Sequence, residues 1–257
     1  MNIKNFLKGQ WFTFKGGYSF TVRGKSFTCD AEHFKFWQNL ERGRWEPETF
    51  EILSRFLKPE YVCFDIGTWI GPTVIYSAKS CKKVYCFEPD PVAYEFLLRN
   101  IRLNNLTNVS PMNIALSDKS GRFEIGSFGG SLGDSMTSML GSAEATHKVE
   151  VAGLSFGDAC RTFFLLEPDF IKMDTEGAEF DLIPSMRDFI ERKKPVIYLS
   201  THAPYLPSAE RESKMRRVVD VLDLYGKCYD SNLNEIEVGE LLNKKNLEEF
   251  ASFVFTD

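Results

Sequence analysis

Acidic side chains close three apolar runs of this chain, and their positions could form a pocket for a positively charged nucleoside. Asp65, Glu88 and Asp174 each follow a stretch of strand-like apolar residues. Asp65 and Glu88 are separated by about the length of one strand–helix–strand unit, in which the second carboxylate reaches a ribose diol from the neighbouring strand end. Gly67 and Gly71 allow the turn between them to pass close to a ligand.

Charge distinguishes the two nucleoside cofactors that suit this arrangement, NAD and S-adenosylmethionine. A pyrophosphate needs free N–H groups at a helix N-terminus, where the carboxylate of Asp65 would repel it and Pro72 offers no donor. Gly67 and Gly71 also do not fit the G-x-G-x-x-G pattern of dinucleotide sites. Because S-adenosylmethionine carries an ammonium and a sulfonium, we expect Asp65 near its amino acid part and Glu88 on its ribose.

Length and composition limit the fold and the partners. The chain has 257 residues, 43% of them apolar, and a formal net charge of −5. This size suits one α/β domain with a short extension. The acidic balance argues against nucleic acid as a partner, and the short basic runs 192–194 and 244–245 are typical of solvated faces.

Cysteine usage and hydropathy indicate the compartment. The cysteines form no C-x-x-C pair and lie at positions 29, 63, 81, 86, 160 and 228. Such scattered thiols are typical of a reducing cytoplasm. Because no apolar run reaches the length of a signal peptide or a membrane-spanning helix, we predict a cytoplasmic protein without a membrane span.

The regular order of apolar segments predicts an α/β fold. From residue 59 onward, strands at 61–66, 83–88, 109–116, 169–173 and 195–200 alternate with helices at 72–80, 91–104, 178–191 and 207–225. This alternation favours a Rossmann-like sheet of seven strands, mostly parallel, with helices on both faces. The runs 227–229 and 250–255 suit a terminal antiparallel hairpin, and 121–125 and 149–154 suit two further strands.

Two segments interrupt this order. Residues 1–58 form an aromatic-rich extension, with strands expected at 11–14 and 18–23 and helices beginning near Phe34 and Pro47. This extension is either a cap over the core or an apron without ligand contact. Residues 128–139 are rich in Gly and Ser, which is typical of a loop that closes on a ligand and equally of a disordered connection.

Four of these segments together resemble the FkbM-type methyltransferases, a family of Rossmann-like class I enzymes that use S-adenosylmethionine. The resemblance covers roughly residues 45–202, and its carriers are 65–71, 88–90, 113–118 and 171–179. It implies methyl transfer to an oxygen, commonly on a sugar or a secondary-metabolite scaffold. It also implies that Asp65, Gly67, Gly71 and Glu88 line the cofactor, and we add Asn113, Ala115 and Asp174 as further candidate cofactor contacts.

The chain departs from the family pattern at one position. That pattern has a Glu two residues before a His at the end of the fifth strand, and here Ser200 precedes His202. His202 is therefore the stronger catalytic candidate, because its side chain titrates near neutrality. Asp174 and Glu176 compete with it for the role of base, and Lys172 lies on the same strand face as Asp174.

Two further roles are open for the acidic pair. Asp174 and Glu176 could bind a divalent cation such as Mg²⁺ with help from His202. Alternatively, Glu176 caps the following helix and Asp174 orders its loop. We expect Glu179 and Asp181 to lie in the first turn of that helix, where negative charge is favourable without a catalytic role.

The leading hypothesis is an S-adenosylmethionine-dependent O-methyltransferase that acts on a hydroxyl of a carbohydrate or small polar metabolite. A catalytically silent, cofactor-binding partner subunit is the alternative that Ser200 suggests, and an NAD-dependent oxidoreductase is a third. The acceptor is therefore a small molecule or a glycan. The aromatic extension could expose an apolar patch that supports a homodimer.

Overall fold

The computed structural model describes residues 3–140 and 145–257. Its helices are α1 (Ile3–Phe14), α2 (Phe34–Glu41), α3 (Pro47–Phe56), α4 (Pro72–Ala78), α5 (Pro91–Leu103), α6 (Phe156–Thr162), α7 (Glu179–Ser185), α8 (Arg187–Lys193), α9 (Arg211–Leu222) and α10 (Lys244–Glu248). Its strands are β1 (Tyr18–Val22), β2 (Lys25–Cys29), β3 (Val62–Ile66), β4 (Lys83–Phe87), β5 (Val109–Met112), β6 (Ala115–Ser117), β7 (Gly121–Ser127), β8 (Thr137–Ser138), β9 (Lys148–Ser155), β10 (Phe170–Met173), β11 (Val196–Thr201), β12 (Lys227–Asp230), β13 (Glu235–Ile236) and β14 (Ala251–Thr256).

A mixed sheet forms the centre of the molecule and confirms the predicted α/β class. Within the described residues it has eight strands in the order β13-β12-β14-β11-β10-β3-β4-β5. The strands from β11 to β5 in this order are parallel, and β14 runs antiparallel between β11 and β12. The carboxyl ends of β3, β4, β10 and β11 therefore meet at one edge, where open α/β sheets bind ligands.

The predicted count of seven strands is wrong by one edge strand. Glu235–Ile236 adds β13 to the outer side of β12. A tight turn makes this possible, because Asp230 Oδ1 accepts the N–H groups of Asn232 and Asn234, each at 2.9 Å. The sequence pattern predicts a terminal hairpin of residues 227–229 and 250–255. Those strands do pair antiparallel, although β13 and α10 lie between them in sequence.

The strand predicted at 109–116 is divided between two sheets. Met112 ends β5 in the central sheet, whereas Ala115 begins β6, which pairs with β9 in a four-stranded sheet. The chain changes direction at Asn113, whose amide Nδ2 donates to the carbonyl oxygens of Glu88 at 2.7 Å and Pro89 at 3.1 Å. The strands expected at 121–125 and 149–154 are confirmed as an antiparallel pair.

The amino-terminal segment packs against the central sheet. The strand predicted at 11–14 is wrong, because these residues continue α1, where Lys15 N donates to Trp11 O at 3.1 Å. Phe12 contacts Tyr18 and Phe34 from this helix, so aromatic packing, not strand pairing, explains the pattern. The strand expected at 18–23 is confirmed as β1. Phe20, Trp37 and Leu53 share one buried core cluster with β3 and α4.

A second buried cluster covers the opposite face of the sheet. It joins β3, β10 and β11 to α6, α7, α8 and α9. The sheet is thus covered on both faces, which fixes the positions of its carboxyl ends. Among the described residues, no helix combines the length and the apolar character that a membrane crossing requires.

Candidate active site

A cavity of about 440 Å³ opens at the carboxyl ends of the parallel strands. Its walls come from the turn after β3, the end of β4, β6 with the Gly/Ser-rich loop, the loops after β10, β11 and β12, the start of β14, and the segment before and within α3. The residues that line it include Trp45, Glu46, Thr49, Gly67, Thr68, Trp69, Glu88, Ala115, Asp134, Thr137, Lys172, Asp174, Glu176, Ser200, His202, Tyr205 and Phe250. Five of these residues carry carboxyl groups, against the two cations Lys172 and His202, so a cationic ligand would find acidic partners in the cavity.

Gly67 permits the closest backbone approach in the cavity wall. Its φ is +77°, and a Cβ built there would lie 1.7 Å from the carbonyl oxygen of Asp174. Its N–H donates to the carbonyl of Phe87 at 3.0 Å. Gly67 therefore packs the turns after β3, β4 and β10 directly against one another, and no residue with a side chain fits.

The rest of the glycine turn is held by Glu88. Trp69 has a left-handed φ of +49°, and its N–H donates to Glu88 Oε2 at 2.7 Å. Gly71, at φ +90°, precedes Pro72 at the start of α4, and a Cβ there would lie 2.5 Å from Leu97. The turn predicted from the two glycines is thus present and presses against its neighbours.

Glu88 lies on the cavity wall, and its predicted contact with the cofactor ribose stays a prediction. Its Oε1 accepts the N–H of Asp90 at 2.9 Å, while Oε2 accepts that of Trp69. The side chain is buried, and burial raises the pKa of its carboxyl to about 8 in spite of these donors. Such a carboxylate gains from a ligand that donates hydroxyl hydrogen bonds to it, as a ribose diol does.

The Gly/Ser-rich loop 128–139 lies along the cavity and contributes Asp134, Ser135 and Thr137 to it. Asp90 anchors this loop: its Oδ2 accepts the N–H of Gly133 at 2.6 Å and the hydroxyl of Thr137 at 2.9 Å. Asp90 also caps α5 through Oδ1. One carboxylate thus joins the loop to the helix that follows β4.

Asp65 lies behind the cavity wall, not on it. Its Oδ2 accepts the hydroxyl of Thr73 at 2.6 Å, and its Oδ1 lies 3.8 Å from Lys172 Nζ. Burial raises the pKa of the Asp65 carboxyl, although the nearby positive charge of Lys172 acts to lower it. The expected contact between Asp65 and the amino acid part of the cofactor therefore stays a prediction, and the observed role of Asp65 is to hold Lys172.

Lys172 is buried between two carboxylates. Its Nζ lies 3.2 Å from Asp174 Oδ2 in addition to its contact with Asp65. Burial alone would lower the pKa of the Lys172 ammonium, but Asp174 and Asp65 raise it above its ordinary value. Lys172 is therefore a permanent cation that positions Asp174, and it is unsuited to accept a proton.

His202 brings three carboxylates together at the ends of β10 and β11. Its Nδ1 lies 3.1 Å from Glu179 Oε1, and its Nε2 lies 3.4 Å from both Asp174 Oδ1 and Glu176 Oε2. Burial disfavours the charged imidazole, yet Glu179, Asp174 and Glu176 outweigh burial and raise the pKa of His202 to about 9. The predicted trio of His202, Asp174 and Glu176 is therefore assembled in one place.

The two carboxylates near Nε2 differ in their environments. Burial would raise the pKa of Asp174, but Lys172 and His202 hold it below its usual range. Burial raises the pKa of Glu176 to about 7 against the attraction of His202. Glu176 has φ +53°, and its carbonyl accepts the hydroxyl of Ser138 at 2.6 Å. Glu176 thus joins the trio to the Gly/Ser-rich loop.

Glu179 is a functional candidate that the sequence analysis missed. Its Oε2 accepts the hydroxyl of Thr175 at 2.8 Å and the N–H of Gly177 at 2.9 Å, and its Oε1 accepts the N–H of His202 at 2.8 Å. The side chain is completely buried. Glu179 therefore supplies His202 with a carboxylate partner, although Ser200 stands where the family pattern has Glu.

The donor set at His202 fits Mg²⁺ poorly. Asp174, Glu176 and His202 each offer one ligand atom within 4.8 Å of the others. Mg²⁺ requires near-octahedral oxygen ligands, whereas one of these three atoms is an imidazole nitrogen already enclosed by carboxylates. The contacts are those of a complete ion-pair network, and we derive no catalytic step through a metal.

Ala115 lines the cavity, whereas Asn113 supports a neighbouring turn. Ala115 lines the cavity together with Leu116. The amide of Asn113 instead holds the carbonyls of Glu88 and Pro89, as described above. A direct cofactor contact by Asn113 thus stays a prediction, and its observed contacts position Glu88.

The motif set matches a family model, the methyltransferase FkbM domain, over residues 65–227. This match covers more than half of the chain. The chain belongs to the FkbM family of S-adenosylmethionine-dependent methyltransferases. The FkbM match includes the glycine turn, Glu88, and His202 with the three carboxylates around it, but not Trp45 or Glu46, which also line the cavity.

Comparisons with individual proteins are more limited. An uncharacterised protein of Methanocaldococcus jannaschii is 37% identical over 57 residues, 22% of each chain. The FkbM methyltransferase structure from Methylobacillus flagellatus has 13% identity and a TM-score of 0.48, covering 98% of this chain and 59% of that one. The present chain thus spans about a fifth and about three fifths of these two relatives.

Other methyltransferase structures show a similar low level of likeness. An rRNA methylase from Streptococcus thermophilus is 11% identical with a TM-score of 0.45, covering 80% of this chain and 92% of that one. A tRNA (uracil-54, C5)-methyltransferase from Pyrococcus abyssi, solved with S-adenosyl-L-homocysteine, is 13% identical with a TM-score of 0.45, covering 93% and 43%. These scores identify no acceptor for the FkbM-family chain.

Proposed function

We propose that this FkbM-family protein is an O-methyltransferase that transfers a methyl group from S-adenosylmethionine to a hydroxyl of a carbohydrate or other small polar metabolite. We call His202 and the three carboxylates around it, Asp174, Glu176 and Glu179, the His202 network. The observation that carries the proposal is that Glu88 and this network meet at one cavity. Glu88 suits the ribose of the donor, and the network suits an acceptor hydroxyl. A methyl group held between them lies within reach of the acceptor oxygen.

The cofactor would be held by the turn after β3 and by the end of β4. Gly67 brings the backbone close to the ligand, Glu88 accepts the ribose hydroxyls, and Asp65 supports the turn from behind through Thr73. When bound, S-adenosylmethionine supplies an electrophilic methyl group on a sulfonium. The carboxyl groups of the lining favour that cation over a neutral or anionic ligand.

The His202 network would position the acceptor and receive its proton. Glu179 fixes the ring through Nδ1, so that Nε2 faces Asp174 and Glu176 in the cavity. Glu176, whose pKa burial raises to about 7, would receive the hydroxyl proton, because His202, with a pKa of about 9, already carries one. The methyl carbon would leave sulfur as it bonds to the acceptor oxygen, with S-adenosylhomocysteine as the second product. Positioning supplies about 7–11 kcal/mol of the barrier reduction, whereas a base adds about 10²–10⁴-fold, so a variant without the base retains slow turnover.

The lining beyond the donor site suits a polar acceptor with an apolar face. Tyr205 stacks on His202 with ring centroids 5.8 Å apart, and Phe250 packs against Tyr205 at 5.2 Å. Aromatic faces beside carboxylates and hydroxyls are well suited to a sugar ring. A small molecule or glycan acceptor, the absence of a nucleic acid partner, a cytoplasmic location and a homodimer all stay predictions.

Three alternatives can be separated from this proposal. The silent partner subunit was suggested by Ser200, but Glu179 now supplies the carboxylate partner of His202. A divalent cation would make turnover sensitive to EDTA, whereas the ion-pair network predicts unchanged turnover in EDTA. An NAD-dependent oxidoreductase would bind NADH in preference to S-adenosylhomocysteine.

The test is transfer of an isotopically labelled methyl group to a metabolite extract, read by untargeted mass spectrometry. The proposal predicts a product that is heavier by one labelled methyl group and that disappears when active protein is omitted. Loss of the product in the His202→Ala variant would exclude the silent subunit. Protein that binds S-adenosylhomocysteine but labels no hydroxyl compound in any extract would contradict O-methylation of a metabolite.

A further inference from the structure

Glu46 is held in a backbone conformation that its own sequence disfavours. Its φ of 38° and ψ of 57° place it in the left-handed region, and Pro47 follows it directly at the first position of α3. A residue before proline prefers extended backbone, and a side chain with Cβ pays a further penalty at positive φ. Strain of this kind persists where the surrounding structure requires it, which is most often at a binding or catalytic site.

The strained backbone directs the Glu46 side chain into the cavity described above. Glu46 lines that cavity together with Trp45 and Thr49, although all three lie outside the family match at residues 65–227. Its Oε2 accepts the hydroxyl of Thr49 at 3.0 Å. The Thr49 hydroxyl in turn lies 2.6 Å from the Tyr198 hydroxyl on β11, so the carboxylate is fixed to the sheet.

The carboxyl group of Glu46 lacks a dedicated cation. Within the part of the chain that the structure describes, its Oε1 accepts no hydrogen bond, and Lys172 is already paired with Asp65 and Asp174. Burial and the neighbouring Asp174 raise the pKa of Glu46 to about 7, in spite of Lys172 and Thr49. A carboxylate placed at such a cost is stabilised by a cation that arrives with the ligand.

The position of Glu46 relative to Glu88 indicates which part of the donor lies next to Glu46. Glu88 ends β4, and Glu46 is fixed through Thr49 to β11, with β3 and β10 between them in the sheet. Three strand spacings amount to about 14 Å, and two glutamate side chains that reach inward shorten this gap to about the span of a methionine chain. With the ribose on Glu88, the far end of the donor therefore reaches Glu46.

We propose that Glu46 binds the α-ammonium group of the methionine part of S-adenosylmethionine. This inference rests on the proposed function, because it takes the donor to occupy the cavity with its ribose on Glu88. Glu46 is then a donor-binding residue that discriminates between ligands with and without the amino group. Thr49 and Tyr198 position its carboxylate.

Calorimetric titration of the full chain with three probes that share the adenosine part of the donor tests the assignment. S-adenosylhomocysteine carries ribose, carboxylate and ammonium; its deaminated analogue lacks only the ammonium; 5′-methylthioadenosine lacks the amino acid part. Glu46→Gln keeps the size of the side chain and an acceptor for Thr49. Glu51→Gln is the matched control, because Glu51 lies on the same helix α3, is exposed and pairs with Arg23 outside the cavity.

We expect Glu46→Gln to lower the affinity for S-adenosylhomocysteine about 10- to 100-fold, which is the effect of losing one charge-assisted hydrogen bond. The deaminated analogue and 5′-methylthioadenosine should bind the wild type and Glu46→Gln with affinities within about twofold of each other, and Glu51→Gln should bind all three probes like the wild type. Equal weakening of all three probes, or no weakening of S-adenosylhomocysteine, would overturn the role of Glu46. If the wild type bound none of the probes, the proposed function itself would fail.

Discussion

The backbone N–H and the ring Nδ1 of His202 lie 2.8 and 3.1 Å from a single oxygen, Oε1 of Glu179. Glu179 is completely buried and also holds Thr175 and Gly177. One side chain therefore fixes both the start of α7 and the orientation of the imidazole. Its removal would affect stability and turnover together.

Glu179→Ala should destabilise the fold by about 3–5 kcal/mol, because it leaves buried donors and the His202 imidazolium without their shared acceptor. Glu179→Gln retains the shape and part of the hydrogen bonding, so its loss should be smaller. Urea unfolding measures both. Glu212→Ala, which removes an exposed ion pair with Arg216, is the control and should unfold like the wild type. A Glu179→Ala protein of full stability would contradict this role.

His202→Ala should lower the rate of methyl transfer about 10²- to 10⁴-fold while leaving affinity for S-adenosylhomocysteine within about threefold. The reason is that His202 orders the proton-accepting trio at the acceptor side, whereas Glu88 and the glycine turn hold the donor. Single-turnover rates and calorimetry separate the two effects. Equal losses in rate and in donor affinity would instead place His202 in the donor site.

Gly67→Ala should cost at least about 3 kcal/mol of folding free energy and abolish donor binding, because the new methyl group meets the carbonyl of Asp174. Gly24→Ala is a matched control: Gly24 has φ +78°, against +77° for Gly67, and a Cβ there meets nothing within 4 Å. The control should lose only the cost of the left-handed conformation, about 1–2 kcal/mol. Equal losses in the two variants would show that contact with Asp174 is unimportant.

The pKa of Glu88, which burial raises to about 8, predicts pH-dependent binding. Ribose hydroxyls donate to the ionised carboxylate, and the protonated form dominates below the pKa, so affinity should rise with pH by up to about tenfold per unit and level off above pH 8. The ligand 5′-methylthioadenosine isolates this effect, since it has a ribose and no amino acid part. Glu88→Gln should bind weakly with a flat profile. Wild-type affinity that falls as pH rises would contradict the assignment.

Asp90→Asn should release the Gly/Ser-rich loop from α5. The Asp90 carboxylate accepts hydrogen bonds from Gly133 and Thr137 in the loop and caps α5, so the variant should lose about 1–2 kcal/mol. Hydrogen exchange should become faster in residues 128–139 while the central sheet keeps its protection. Asp158→Asn, at the start of the distant α6, is the control and should leave loop exchange unchanged.

Sequence alone predicted the parts of the fold and site that depend on local pattern. Apolar runs ending in Asp65, Glu88 and Asp174 marked the carboxyl ends of β3, β4 and β10, since strand ends are local features. The aromatic alternation at 11–14 was misleading, because a four-residue pattern does not distinguish a strand from a helix whose aromatic residues pack inward. The edge strand β13 was missed because two residues carry no periodicity.

The residues missed in the site depend on contacts between distant segments. Glu179 has the sequence context of an ordinary residue in a first helical turn, and only the pairing of β10 with β11 brings it to His202. Glu46 precedes Pro47, a signal for a helix start, but its left-handed backbone and its direction into the cavity follow from tertiary packing. Asp65 was expected on the wall, and its burial beside Lys172 is equally a tertiary result.

A crystal structure of the protein with S-adenosylhomocysteine tests the central claim most directly. We expect ribose hydroxyls within hydrogen-bonding distance of the Glu88 carboxylate, backbone contact at Gly67, and the sulfur facing the side of the cavity that holds Asp174 and His202. Adenosine bound elsewhere, or a ribose without contact to Glu88, would contradict it.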